Sequence, residues 1–137
     1  MTSGGAYQAL AAVLRFNEQG LIPAVIQDAG TKQVLTLCYL NGLALRKTLA
    51  TGKVHVYRRS QGRVMLKGET SGHTQRLREV RVDCEGKSLV LLVRQRVAAC
   101  HTGFYTCYFS RLRGSRMVVS GRRVFDPATV YQPAAPA

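Results

Sequence analysis

Cys84, Cys100 and Cys107 are separated by 16 and 7 positions. Three thiolates would give zinc three ligands and leave a fourth position for water, the arrangement of a hydrolytic site. Zinc lowers the pKa of such a water to about 7, which supplies a nucleophile at neutral pH. The spacing matches no familiar zinc finger, and free cysteine is commonly a small buried apolar residue. Cys38 lies inside an apolar run and reads as core.

His101 adjoins Cys100. A histidine beside an activated water can carry protons, but it could equally be a fourth ligand or a solvated turn residue. His73 is a second candidate proton carrier, and His55 is the third histidine; each alone is more often structural. Asp83 and Glu85 flank Cys84. In a strand they would share one side with Cys84 opposite, and two carboxylates could hold magnesium, which prefers oxygen ligands. Alternatively they balance nearby arginines.

Lys67-Gly68-Glu69-Thr70-Ser71-Gly72-His73 is rich in glycine and hydroxyl groups. Small residues let backbone N–H groups approach an anion, Thr70 and Ser71 add donors, and Lys67 adds charge. Arg58-Arg59-Ser60 lies one strand earlier and could reach the same ligand. The stretch lacks the glycine spacing of a P-loop, and such loops are often ordinary turns.

These residues need a scaffold. Hydrophobic patterning predicts a short helix at Tyr7–Phe16, with Leu10, Val13 and Leu14 on one face. It predicts a hairpin of Leu21–Asp28 and Val34–Leu40. A helix over Gly42–Ala50 follows, capped by Asn41 and closed by Gly52. Strands are expected at Val54–Arg58, Arg63–Leu66, Gln75–Val82 and Ser88–Gln95. The last carries the apolar run Leu89–Val93 and should be central. Tyr105–Leu112 and Met117–Ser120 read as a further pair. The expectation is a compact, β-rich α+β domain over 20–131, an N-terminal segment over 1–19 and a frayed tail over 132–137.

The 137 residues suit one domain. Apolar residues make up 46%, enough for a core, so the chain is no disordered polyelectrolyte. A formal charge of +13, carried mostly by arginine, favours phosphorylated metabolites, nucleotides or nucleic acid as partners. No apolar run is long enough to span a membrane, and Met1–Gly5 lacks the pattern of a secretion signal. A cytoplasmic location is the default expectation, and there four cysteines argue for metal or catalysis over disulfides.

Taken together, the segments resemble the phosphoribosyl-AMP cyclohydrolase family. The resemblance runs from Gly20-Leu21-Ile22-Pro23-Ala24-Val25-Ile26-Gln27-Asp28 through Tyr39-Leu40-Asn41 and Arg59-Ser60. It takes in the Lys67–His73 loop, Asp83-Cys84, Cys100-His101-Thr102-Gly103 and Cys107, and ends at Val124-Phe125-Asp126-Pro127. It implies an intertwined homodimer that opens the adenine ring of phosphoribosyl-AMP between N1 and C6, a step of histidine biosynthesis. It also implies zinc shared across the interface, by Cys84 of one copy and Cys100 and Cys107 of the other. His101, with His73 second, would move the proton. Arg59, Ser60, Lys67, Thr70, Ser71 and Gly72 would hold the phosphorylated substrate.

The chain departs from the family at the expected magnesium site. The usual pattern is Asp-Cys-Asp-x-Asp; here it is Asp83-Cys84-Glu85-Gly86-Lys87. Lys87 puts a positive charge where a cation would sit, and its ammonium could replace the metal and meet a substrate phosphate. Met65, Gln61 and Phe104-Tyr105-Thr106 also differ from common family residues. Two alternatives follow: a paralogue acting on another purine nucleotide, or a basic nucleotide- or RNA-binding protein with structural zinc. The Cys100-His101 pair argues against the second, since structural zinc needs no neighbouring proton carrier.

Overall fold

The structure is a computed structural model that describes residues 3–131; the expected tail at 132–137 lies outside them. Its centre is a four-stranded sheet in the order β2-β1-β6-β5. Strands β1 (Ile22–Asp28) and β2 (Val34–Leu40) form the expected antiparallel hairpin, while β6 (Leu89–Gln95) lies parallel to β1. Strand β5 (Gln75–Val82) closes the far edge, antiparallel to β6.

The burial pattern explains the order. In β1, Ile22, Ala24 and Ile26 are fully buried and alternate with half-buried neighbours, the mark of a sheet with one core face. In β6 the consecutive residues Leu91, Leu92 and Val93 are all buried, so this strand is covered on both faces and must be interior.

Helix α2 (Gly42–Thr51) covers one face with Ala44, Leu45 and Thr48. Asn41 caps it by accepting a hydrogen bond from the Ala44 N–H at 2.8 Å, and Gly52 ends it at φ 74°. The buried Thr48 hydroxyl donates to the Ala44 carbonyl and accepts from the His55 N–H, both at 2.8 Å. That second bond fastens α2 to the ribbon of β3 (His55–Arg58) and β4 (Arg63–Leu66).

The structure corrects four expectations. Helix α1 spans Ser3–Ala11, not Tyr7–Phe16. The Arg15 N–H is taken by the Gly86 carbonyl at 2.7 Å, a bond incompatible with its helical partner, and the chain turns so that Leu14 is buried while Val13 is 55% exposed. Tyr105–Leu112 is no continuous strand. The Thr106 hydroxyl and the Cys107 N–H are spent on the carbonyls of Val34 and Leu35, so a loop lies across β2 and only Ser110–Arg113 pairs, as β7. Its partner β8 is Arg116–Val119, a one-residue shift from expectation. Asp83 and Glu85 sit in the turn that follows β5, which ends at Val82 as expected, so they do not share one side of a strand; Gly86 takes φ 72° within that turn. A short helix α3 (Pro127–Val130), absent from the expectation, is capped by Asp126 and led by Pro127.

Candidate active site

Two loops leave the same end of the sheet and face each other. One joins β4 to β5 and carries Lys67–His73; the other follows β6 and carries Ala98–Cys107. Between them lies a cleft of about 260 Å³. Arg58, Lys67, Thr70, Ser71, His73, His101 and Cys107 all line it, together with Tyr131 at its rim.

The first loop is shaped by Gly68. At φ 87° it adopts a conformation that side chains resist, and a Cβ there would lie 2.5 Å from the His73 carbonyl oxygen. Gly72 donates its N–H back to the Gly68 carbonyl at 2.8 Å and closes the turn. His73 is thereby driven inward to 9% exposure, where its ring stands edge-on to Phe125 with centroids 4.7 Å apart. Burial, and then the Arg96 charge, hold its pKa below 6.5, so the ring is neutral at pH 7. Its Nδ1 has no hydrogen-bond partner among the described residues.

Gln95 ties the two loops together. Its Nε2 approaches the carbonyls of His73, Arg96 and Ala98 at 3.2, 3.0 and 3.1 Å. Its Oε1 accepts from Gln75, which is fully buried. Gln95 thus links the backbone beneath His73 to the segment leading to Cys100.

In the second loop, Cys100 is buried and opens a tight turn through Gly103. A Cβ on Gly103 would lie 2.7 Å from the Phe125 carbonyl oxygen. The Cys100 Sγ lies 2.8 Å from the Thr102 hydroxyl. Cys107 is held by its N–H bond to Leu35 and comes within interacting range of Cys100. Burial raises the Cys107 thiol; Thr36 and Lys67 act in the opposite direction, and Cys100 adds to the rise.

The Cys84 turn is elsewhere. It precedes β6, whereas Cys100 follows it, and Cys84 is exposed beside Val13 and Leu14 in a separate cleft. The Asp83 carboxylate accepts from the Ser88 hydroxyl at 2.7 Å and from the N–H groups of Lys87 and Glu85 at 2.9 and 3.1 Å. The bonds from Ser88 and Lys87 lead in lowering its pKa. Glu85 pairs with the Lys87 ammonium at 2.9 Å. Among the described residues, no three Cys, His, Asp or Glu side chains gather closely enough to hold a metal.

The family model for phosphoribosyl-AMP cyclohydrolase matches residues 36–109. The chain is 47% identical over 119 residues to a phosphoribosyl-AMP cyclohydrolase of Haloquadratum walsbyi, covering 87% of this chain and 88% of that protein. It is 49% identical over 119 residues to one from Pelotomaculum thermopropionicum, covering 86% and 92%. The chain belongs to the phosphoribosyl-AMP cyclohydrolase family. A member from Halorhodospira halophila is 45% identical over 127 residues, covering 93% of this chain and 89% of its own. The histidine biosynthesis bifunctional protein HisIE of Thermoanaerobacter pseudethanolicus is 42% identical, and the match spans 55% of that longer protein.

Within this cyclohydrolase fold, the site expectations divide into three groups. Lys67, Thr70, Ser71, His73, His101 and Cys107 share the cleft, and Cys100 stands behind it. Arg59 and Ser60 do not reach it: they line a neighbouring cleft with Tyr39 and Cys38, where the Arg59 guanidinium lies 4.2 Å over the Tyr39 ring. Arg58 and Lys67 border both clefts. Gly72 is exposed and shapes the loop without lining the cleft. Cys84, Asp83, Glu85 and Lys87 form the third, separate group. Cys38 is half-buried at the wall of the second cleft, and burial raises its thiol pKa. Sequence reasoning missed Gln75, Gln95 and Tyr131, because glutamine and tyrosine carry no spacing signal for such roles.

Proposed function

We propose that this chain hydrolyses the N1–C6 bond of the adenine ring of phosphoribosyl-AMP, as a zinc-dependent homodimer acting in histidine biosynthesis in the cytoplasm. The observation that carries the reading is the meeting of Cys107 and His101 with the Lys67 loop around one cleft, with Cys100 behind it against Cys107. A thiol pair, a proton carrier and an anion-binding loop are the parts such a hydrolysis requires. No helix of the described chain is long and apolar enough to cross a membrane.

The paired free thiols of Cys100 and Cys107 suit zinc, and no disulfide claims either of them. They would hold it together with Cys84 of a second copy. When bound, zinc with three thiolate ligands and one vacant position supplies activation of water near neutral pH.

The chain's own residues do the rest. Lys67 and the hydroxyls of Thr70 and Ser71 grip a substrate phosphate through charge and hydrogen bonds. His101 takes a proton from the attacking water and returns one to N1 as the C6–N1 bond breaks. The oxygen of water stays on C6, which remains on the imidazole ring as a carboxamide while N1 departs on the formimino carbon. His73, neutral and with Nδ1 unpaired, accepts a hydrogen bond from the substrate or relays the proton.

The donor set around Cys84 does not suit magnesium. One carboxylate already faces an ammonium and the other is engaged by its own turn. Lys87 instead stands as the cation of this site and meets a phosphate of the substrate bound across the interface.

The test is an ultraviolet assay of ring opening with purified protein, zinc present and magnesium varied. Turnover independent of magnesium supports the reading. No turnover, together with tight and salt-sensitive RNA binding, contradicts it.

A further inference from the structure

Val97 takes φ 59°. Among the described residues, only Lys32 in the β1–β2 turn shares the left-handed region with it without being glycine. A β-branched residue is a true outlier there, because its Cβ crowds the backbone. The valine side chain does not offset that cost by packing, since it is 45% exposed. Strained backbone persists only where its surroundings hold it, and it gathers at functional sites.

Gln95 holds this turn. Its Nε2 lies 3.0 Å from the Arg96 carbonyl and 3.1 Å from the Ala98 carbonyl, one on each side of Val97. The third acceptor, the His73 carbonyl at 3.2 Å, belongs to the facing loop. Because three carbonyls surround the nitrogen, the amide cannot turn over; its oxygen would then face all of them. The Oε1 is thereby aimed at Gln75, whose Nε2 donates to it at 2.7 Å. Gln75 is fully buried, pairs with Gln95 across β5 and β6, and accepts the Val54 N–H on its carbonyl at 3.0 Å. Its own Oε1 has no hydrogen-bond partner among the described residues. An apolar side chain would fill that position without an unmatched buried acceptor, so the amide is explained by what it orients.

The turn sets the second wall of the cleft. Beyond Val97 the chain leaves the line of β6, and the N–H groups of Ala99 and Cys100 bond to the carbonyls of Tyr105 and Phe104 at 2.9 and 3.3 Å. We propose that Gln95, oriented by Gln75, is a positioning residue for the cyclohydrolase reaction: it clamps the strained Val97 turn and so holds the Cys100–His101 loop in register with the Lys67 loop. The inference rests on the reading of that cleft as the active site and adds the device that spaces its two walls. Neither glutamine lines the cleft, so each acts through the backbone it holds.

Wild type, Gln95→Met, Val97→Gly and the double variant test this by steady-state hydrolysis of phosphoribosyl-AMP and by hydrogen–deuterium exchange over residues 97–107. Methionine keeps the length of glutamine and lacks both polar atoms. Gln95→Met should lower kcat by about tenfold or more, since small misplacements are costly to a reaction. KM should stay within about threefold, because the Lys67 loop keeps its Gly68–Gly72 bond. Exchange over 97–107 should quicken about tenfold. Glycine takes φ near 60° without strain, so Val97→Gly alone should keep the wild-type kcat. In the double variant it should restore most of the lost kcat and protection, a coupling that independent effects would not give. Unchanged kcat and exchange in Gln95→Met, or a double variant no better than Gln95→Met, overturns the clamp. Where Gln95→Met does not fold, Gln75→Met carries the test with the same readouts and the same rescue. A wild type that does not turn over phosphoribosyl-AMP overturns the reading of the site instead, and the exchange pattern then decides the clamp.

Discussion

Cys84 and Cys100 hang from opposite ends of one strand, β6, with seven residues of sheet between their turns. At about 3.3 Å per residue that strand is roughly 20 Å long. A zinc ion reaches ligands only about 2.3 Å away. The two thiols therefore serve one ion only if they come from different chains, and the predictions below depend on how each part of the chain is held for that assembly.

The Lys67 loop depends on the backbone at Gly68. With φ at 87° and the His73 carbonyl 2.5 Å from where a Cβ would sit, Gly68→Ala must reshape the loop. A misplaced phosphate grip should raise KM at least tenfold. Thermal unfolding should move by only a few degrees, because the loop lies outside the main core. Steady-state kinetics beside a melting curve check this; an unchanged KM would remove the loop from substrate binding.

His73 should titrate below 6.5, driven by burial first and Arg96 second. Arg96→Ala removes one of those two effects, so its midpoint should rise toward 6.5 without reaching it. Ring-proton NMR across the acid range reads both values. A wild-type midpoint at or above 6.5 would mean that the ring is solvated and not seated against Phe125.

Asp28 binds the end of β1 to the Ala98–Cys107 loop through the Tyr105 hydroxyl. Burial alone would raise its carboxyl pKa, but the bonds from Tyr105, Thr31 and Gly30 together outweigh it and hold the pKa below 3.8. The folded state thus binds this proton less tightly than the unfolded chain. The associated stabilisation is complete above pH 3.8 and is lost as pH falls through the folded pKa. Tyr105→Phe should cost about 1 kcal/mol near neutrality and less once the carboxyl is protonated. Urea denaturation at neutral and acid pH measures the difference; an equal cost at both would show that the hydroxyl does not depend on the charge.

Lys87 pairs with Glu85 at 2.9 Å, at the position where the magnesium site was expected. Lys87→Asp removes that charge and adds an oxygen ligand, so magnesium should now stimulate turnover several-fold where the wild type is indifferent. Titration of activity with magnesium decides it. Indifference in both proteins would place position 87 away from the substrate.

Most of the scaffold was legible from residue patterning. The β1–β2 hairpin showed itself by its turn at Asp28–Thr31, the central place of β6 by its unbroken apolar run, and α2 by its Asn41 and Gly52 caps. The failures share a cause. The end of α1 and the loop at Tyr105–Phe109 are each set by a bond to a distant segment, Gly86 for the first and Val34 with Leu35 for the second, and the turn at Asp83–Ser88 packs its Gly86 so closely on Val13 that a Cβ would not fit. No local periodicity records such partners. In the site, the Lys67 loop and the Cys100–Cys107 pair were readable from residue type and spacing. The separation of Arg59 and Ser60 from the cleft was not, since it depends on which way the β3–β4 ribbon turns its end.

Mixing two inactive chains tests the shared site most directly. Cys84→Ser and Cys107→Ser should each lose zinc and activity. Unfolded together and refolded in equal amounts, half the dimers contain one chain of each kind, and each of those has one complete thiol set. Activity and zinc should return to about a quarter of the wild-type level. Full activity in Cys107→Ser alone, or no recovery in a mixture whose heterodimers are isolated by differential tagging, would contradict a zinc ion held between two copies.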